Sequence, residues 1–226
     1  MTTTLGIETS SVTYGVAVAV DGEVVAHRTL RRDDPAFTGL SDLVATVVDD
    51  FGSVDAVAVD IGPGNLASVR SGVAYANGLA FSLGKPILVA SSLDLLALEA
   101  AMQADGPVLC LRDAGSGRVY AWLDGELRHG PFEPVVLSLV GDRTAIAVAG
   151  VHRAKVAALL PGVAVKDTGI DAPQVTTLLA ASPRAVEVAS PLTEASPEFA
   201  ARPSVRARSG SIVRPDRPSG SEDGAA

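Results

Sequence analysis

Residues 60–72 read "DIGPGNLASVRSG": a carboxylate closing an apolar run, two glycines around a proline, then small residues at helical spacing. The run before it, "VDAVAVDI" (54–61), is continuously apolar and of strand length, as expected of a strand covered on both faces. After it the pattern predicts a helix from Leu66 to Leu83, with Asn65 as N-cap and Gly84 as the C-terminal stop. A strand, a glycine turn and a helix in this order bring something close to the backbone. Whether that is a phosphate, a dinucleotide or another protein separates the function classes open to the chain.

Outward from this stretch the same alternation continues. "TLGIE", "TYGVAVAV" and "EVVAHRTL" read as three antiparallel strands, the last two joined at Asp21-Gly22, a strong two-residue hairpin signal. "LSDLVATVVDDF" places Leu40, Leu43, Val44, Val47, Val48 and Phe51 at helical spacing, with Gly52 as a stop. "PILVA" is a further buried strand, and "SSLDLLALEAAMQA" a helix capped by Ser91 or Ser92. The second half begins again at "PVLCLRDAGSGRVYAWLDGELRHG", three strand-like runs broken by "AGSG" and by Asp124-Gly125. A loop over 131–143 leads to the strand "TAIAVAG", the short helix "HRAKVAALL", the strand "VAVKD" and the helical "DAPQVTTLLAA". A hairpin-rich start followed by strand and helix alternation, occurring twice, predicts a duplicated α/β fold in two lobes, 1–104 and a reduced 105–182. From 183 to 226 the chain is rich in Pro, Ser and Arg without periodicity and reads as a mobile tail.

Composition narrows the classes. The chain has 226 residues, 47% hydrophobic but only 4% aromatic, so its core must be closely packed from small and branched side chains. With 26 acidic against 18 basic residues the formal charge is -8, which works against unaided binding to nucleic acid. The single cysteine, Cys110, reads as a buried thiol of an apolar strand, and no run reaches the length of a membrane span. The first residues carry no basic segment followed by an apolar stretch, so the expected location is the cytoplasm.

The glycine loop has look-alikes. "GPGNLA" satisfies a relaxed dinucleotide pattern, but the acid expected about twenty residues on is missing, since the next strand ends "LVASS". "GLAFSLGKP" resembles a P-loop, yet it closes a helix, and Pro86 stands where a magnesium-binding hydroxyl would be needed. Within the helix, Ala67, Ser71, Ala74 and Gly78 form a stripe with almost no side chain, flanked by Ser68 and Gly72. Small residues let a second backbone approach, from within the chain or from a partner.

These residues, with "LGIETSSVTYGVAV" at the start and "RDAGSGRVYAWL" later, resemble the TsaB (YeaZ) family over about residues 4 to 125. That family is the non-catalytic paralogue of the bacterial enzyme that places threonylcarbamoyl on the adenosine next to the tRNA anticodon. Gly62, Pro63, Gly64, Arg70 and Gly72 match the family's loop, and Asp113, Ala114 and Tyr120 match its later Asp-Ala…Tyr segment. Asn65, Leu66, Ala67, Ser68 and Val69 depart from it, and Glu8 replaces an Asp before Thr9 and Ser10.

The resemblance implies an actin-like or Hsp70-like ATPase fold of ribonuclease H-like lobes, and an accessory subunit without catalytic residues of its own. It implies a docking surface on the helix 66–83 and on Leu40, Leu43 and Val47 of the helix before it. The partner implied is a TsaD-like catalytic paralogue, with a TsaE-like ATPase and a homodimer as further options, and tRNA reached only through the complex. No intrinsic cofactor is expected: ATP and metal belong to the partner subunit. The paralogue's metal-binding histidine pair has no counterpart, because His27, His129 and His152 fall in separate elements. In active members of the wider ATPase group the first hairpin handles nucleotide. Here Glu8, Thr9, Ser10 and Ser11, with Asp113 opposite, are the residues for that option, and a tight turn alone accounts for Thr9 and Ser10 equally well.

Overall fold

The computed structural model describes residues 1–48, 53–181, 183–193 and 196. The first lobe runs β1 (Thr3–Glu8), β2 (Thr13–Val20), β3 (Glu23–Arg31), α1 (Leu40–Val48), β4 (Ala56–Asp60), α2 (Leu66–Leu83), β5 (Ile87–Ala90), α3 (Ser92–Ala101). The second runs β6 (Val108–Gly115), β7 (Arg118–Leu123), β8 (Glu126–Pro131), α4 (Phe132–Val140), β9 (Ala145–Gly150), α5 (Arg153–Leu159), β10 (Ala164–Asp167), α6 (Val175–Ala180). A short β11 (Arg184–Val186) follows.

The duplication is visible in the pairing. Sheet one has the order β11-β5-β4-β1-β2-β3 and sheet two β10-β9-β6-β7-β8, so five strands of each share one plan. In both, the first three strands are antiparallel and the next two join in parallel on the far side of the first. This is the ribonuclease H-like lobe, twice, of the actin-like ATPase fold. Both Asp-Gly turns have positive φ at both residues, Asp21 49° and Gly22 86°, Asp124 50° and Gly125 87°, the geometry that suits strand twist.

Each sheet has two apolar faces because each strand alternates. In β1, Leu5 and Ile7 lie beside Val18 and Val16 and beside Val57 and Val59, and all join the core under α1 and α2. Gly6, Ala17 and Ala58 form the row on the opposite face. A Cβ on Gly6 would lie 3.0 Å from Leu179 Cγ, and one on Gly15 3.0 Å from Val175 Cβ, so this small row lets α6 settle on sheet one. The third helix of each lobe thus crosses over: α6 covers β1 to β4, while α3 packs on β6 and β9 of sheet two through Leu93, Leu96 and Ala100. Two helices from opposite lobes fill the middle of a five-layer sandwich.

Two expectations are corrected. Residues 132–140, within the stretch read as a loop, form α4, which buries Val135, Val136, Leu139 and Val140 against sheet two. Pro131 and Pro134 obscured it, yet both sit where a helix start tolerates proline. The tail expected from 183 begins instead as structure: Arg184–Val186 pairs antiparallel with β5, Asn77 exchanges two hydrogen bonds of 2.9 Å with the backbone of Ala189, and Leu192 N donates to Ile61 O at 2.7 Å. Residues 197–226 of that tail, and Phe51 and Gly52 of the first helix, lie outside the described residues.

Candidate functional site

The turn after β1, the loop after β4 and the start of α2 meet at the inner edge of lobe one. Glu8 closes β1 at 3% exposure, its Oε1 accepting from Ser10 N at 2.6 Å and from Ser10 Oγ. Asp60 closes β4, fully buried, and accepts from Gly62 N at 2.8 Å and from Ser92 Oγ at 2.8 and 2.6 Å. Ser92 N in turn donates to Gly62 O at 2.7 Å. Two buried carboxylates therefore end neighbouring parallel strands. Burial first, and then the charge of Asp60, push Glu8 up to about 8. Burial likewise raises Asp60 against its hydrogen bonds from Ser92 and Gly62.

The cation between them comes from the other lobe. Arg112 of β6, 4% exposed, donates from Nη2 to Ser10 O at 2.6 Å and Ser10 Oγ at 3.0 Å, and from Nε to Pro63 O at 3.1 Å. Asn65 N also donates to Ser10 O, at 3.0 Å, and Asn65 caps α2 by accepting from Ser68 N at 3.1 Å. A Cβ on Gly64 would fall 2.3 Å from Ser10 O, so only glycine fits there.

Thr9 points the other way, under α2. Its Oγ1 donates to Ser68 O at 2.9 Å, Arg32 Nη1 donates to Ser68 Oγ at 2.7 Å, and a Cβ on Gly72 would lie 2.1 Å from Thr9 Oγ1. Ser68 and Gly72 are buried, as are Gly62 and Pro63. The stripe beside them is not: Asn65, Ala67, Arg70, Ser71, Ala74 and Gly78 are exposed. Ser71 Oγ donates back to Ala67 O at 3.0 Å, so within the row Ala67, Ser71, Ala74 and Gly78 the one hydroxyl is turned onto the helix, with the charged Arg70 alongside. Phe81 extends it at 90% exposure, and Leu66 begins it at 42%.

The expected docking residues thus divide. Leu43 (2% exposed) and Val47 (5%) are core under sheet one, with Leu40 half-buried, because the apolar stripe of α1 is what covers β2 and β3. Ser68 and Gly72 are framework, committed to Thr9 and Arg32. Only the outer row of α2 is open.

The residues expected for a nucleotide are also separated. Glu8 and Ser11 line a cavity of about 530 Å³ against residues 168–176, whereas Thr9 is committed to Ser68 and Ser10 to Glu8 and Arg112. Asp113 does not line it: exposed on β6, it stands 3.9 Å from His152 Nε2. Two amides at the turn are already used, Ser10 N by Glu8 and Thr13 N by Ser11 Oγ. No lysine or arginine is among the described residues lining the cavity. His27 lies on β3, His129 on β8, stacked on Tyr120 with ring centroids 4.7 Å apart, and His152 before α5. Among the described residues no group of three or more His, Cys, Asp or Glu could hold a metal, and no helix is long and apolar enough to cross a membrane.

Sequence reasoning missed Asp60, Ser92, Arg112 and Phe81. A lone arginine in the buried strand "VLCLRDAG" was the available signal, since such a cation must find partners. Phe81, three positions beyond Gly78, continues the stripe of small residues.

The profile of the family described as "TsaD: tRNA N6-adenosine threonylcarbamoyltransferase" matches residues 41–168. A crystal structure from Pseudomonas aeruginosa, described as a protein with similarity to peptidase YEAZ, superposes with a TM-score of 0.70 at 26% identity, covering 85% of this chain and 99% of that one. The chain belongs to the TsaB (YeaZ) family and carries a TsaD-type domain. The TsaB of Bacillus subtilis, a tRNA threonylcarbamoyladenosine biosynthesis protein, is 33% identical over 138 residues, 59% of this chain and 59% of its own length. The tRNA N6-adenosine threonylcarbamoyltransferase of Neorickettsia sennetsu is 33% identical over 129 residues, 49% of this chain and 39% of its own. The chain therefore spans about three fifths of the first of these two relatives and about two fifths of the second. Both likenesses run through the two lobes: the structural one covers 85% of this chain, and the TsaD profile spans residues 41–168.

Proposed function

We propose that this chain is a TsaB-like accessory subunit that pairs with a TsaD-like catalytic paralogue in the cytoplasm and supports threonylcarbamoyl modification of tRNA by binding, not by chemistry of its own. The observation that carries the reading is the end-to-end likeness to the YeaZ structure, which spans 99% of that chain. The outer face of α2 is the docking surface: Ala67, Ser71, Ala74 and Gly78 permit close approach of a partner helix, with Phe81 as the apolar anchor at one end. ATP, metal and tRNA belong to the partner side of the complex. A TsaE-like ATPase would join through that complex, and a homodimer would use the same face in the partner's absence. The formal charge of -8 supports a role in which tRNA is held by another subunit.

The test is co-elution of the purified chain with the TsaD-like subunit of its own organism, with and without ATP, read by light scattering on a sizing column. A stoichiometric complex supports the reading. A well-folded chain that stays apart overturns it and directs the search to another carbamoyltransferase. The rival reading, a self-sufficient nucleotide-binding enzyme using Glu8, Thr9 and Asp113, finds no lysine or arginine among the described residues that line the cavity beside Glu8. Calorimetric titration of the chain with ATP and magnesium separates the two, since the accessory subunit gives no heat of binding.

A further inference from the structure

Arg112 starts in sheet two and ends inside lobe one. Nη1 keeps one bond in its own lobe, to Asp171 O at 3.4 Å, while Nη2 and Nε reach two short segments of lobe one: Ser10, in the turn after β1, and Pro63, in the loop that leads into α2. The same Ser10 carbonyl accepts from Asn65 N, the residue that caps α2. One guanidinium from lobe two therefore bridges the turn and the loop that together set where α2 begins. Gly64 leaves no slack, because a Cβ there would be 2.3 Å from Ser10 O and 2.9 Å from Arg112 Nη2.

The chemistry is specific to a planar fork. Arg112 reaches Pro63 O and Ser10 O at once, from Nε and Nη2, and a lysine ammonium, a single point at the end of its stem, cannot reproduce both bonds in that geometry. Losing them takes this donor from Pro63 O and leaves Ser10 O with Asn65 N, so the loop has to move to hydrate what is freed. The effect should be local, because the rest of α2 is held by its own apolar face, Val69, Val73, Ala76 and Ala80.

We propose that Arg112 is a positioning residue: by gripping Ser10 and Pro63 it sets the loop 62–65 and the first turn of α2, so that lobe two governs how lobe one presents its docking face. This rests on the reading of the outer face of α2 as the docking surface.

Hydrogen exchange on the full chain, wild type against Arg112→Lys and Arg112→Met, tests the grip without a partner; titration with the TsaD-like subunit tests its consequence. In Arg112→Lys, amides of residues 9–12 and 62–68 should exchange at least ten times faster while those of α4 and β9 keep their rates, and affinity for the partner should fall at least tenfold. Acceleration by one common factor throughout the chain marks a merely structural residue and overturns the proposal. Should lysine retain wild-type rates, Arg112→Met must show the local acceleration, and its absence from both variants is equally fatal. Local acceleration with unchanged affinity removes the link to docking. If the wild type itself does not bind the TsaD-like subunit, the docking reading fails while the exchange pattern still decides whether Arg112 sets the loop.

Discussion

Glu8 shows how one residue can carry a pH signature. Its ordinary value is 4.5, and burial with Asp60 nearby raises it to about 8 in the folded chain. Between those values the folded state keeps a proton that the unfolded state has released, so stability is highest at the acidic end of the window and falls as pH rises through it. Asp94, raised to about 6 by burial and by Asp60, acts with the same sign. We expect the melting temperature to drop steadily from pH 5.5 to 8, and Glu8→Gln, which can still accept the bonds from Ser10, to flatten the slope. A Glu8→Gln profile parallel to wild type would show that Glu8 is not the titrating group. Gly72 makes a second prediction at this scale. A methyl there meets Thr9 Oγ1 at 2.1 Å, so Gly72→Ala should destabilise the chain by about 1–3 kcal/mol in denaturant unfolding.

Among the elements, α2 is the one with two roles. Its inner row of Ser68, Val69, Gly72, Val73, Ala76 and Ala80 is buried against lobe one, and the outer row from Ala67 to Gly78 is bare. The two rows give opposite outcomes on substitution. Ala74→Glu should leave unfolding free energy within about 0.5 kcal/mol of wild type, as at an ordinary exposed site. It should nonetheless weaken co-elution with the TsaD-like subunit at least tenfold, by placing a charge in the helix contact. Wild-type affinity in Ala74→Glu would remove this face from the interface. In α1, by contrast, the apolar residues Leu43 and Val47 are spent in the core and Ser41, Asp42, Ala45 and Thr46 are exposed.

At the scale of the whole molecule, the exchange of α3 and α6 makes the lobes interdependent. Sheet one is covered on one face by a helix of lobe two, and sheet two by a helix of lobe one. β11 and the Asn77 clamp on Ala189 return the chain to lobe one once more. Neither lobe can lose its fold and leave the other's apolar face covered. The chain should therefore melt in one transition, with calorimetric and van't Hoff enthalpies equal, whereas two resolved transitions would show independent lobes. Where α3 meets α6, Glu99 accepts from Gln174 N at 2.7 Å through Oε1, and its Oε2 is buried without a hydrogen bond from the described residues, with Thr177 close enough to act on the carboxyl. That places a raised carboxyl on the seam, adding to the loss of stability at high pH.

Local chemistry by itself determined much of this. The two Asp-Gly hairpins, the Asn65 and Gly84 caps of α2, the buried strand 56–60 and the repetition of the lobe follow from turn residues and apolar period, which act over a few positions. The identity of the family could also be read there, because its loop and hairpin residues are contiguous. What only tertiary structure decided was which face of each helix is spent inside. The pattern of α1 is the same whether its stripe meets a sheet or a partner, and only the placement of β2 and β3 buries Leu43 and Val47. Arg112, Ser10 and Pro63 are equally invisible as a unit, since they lie far apart along the chain and meet only when the lobes close on one another.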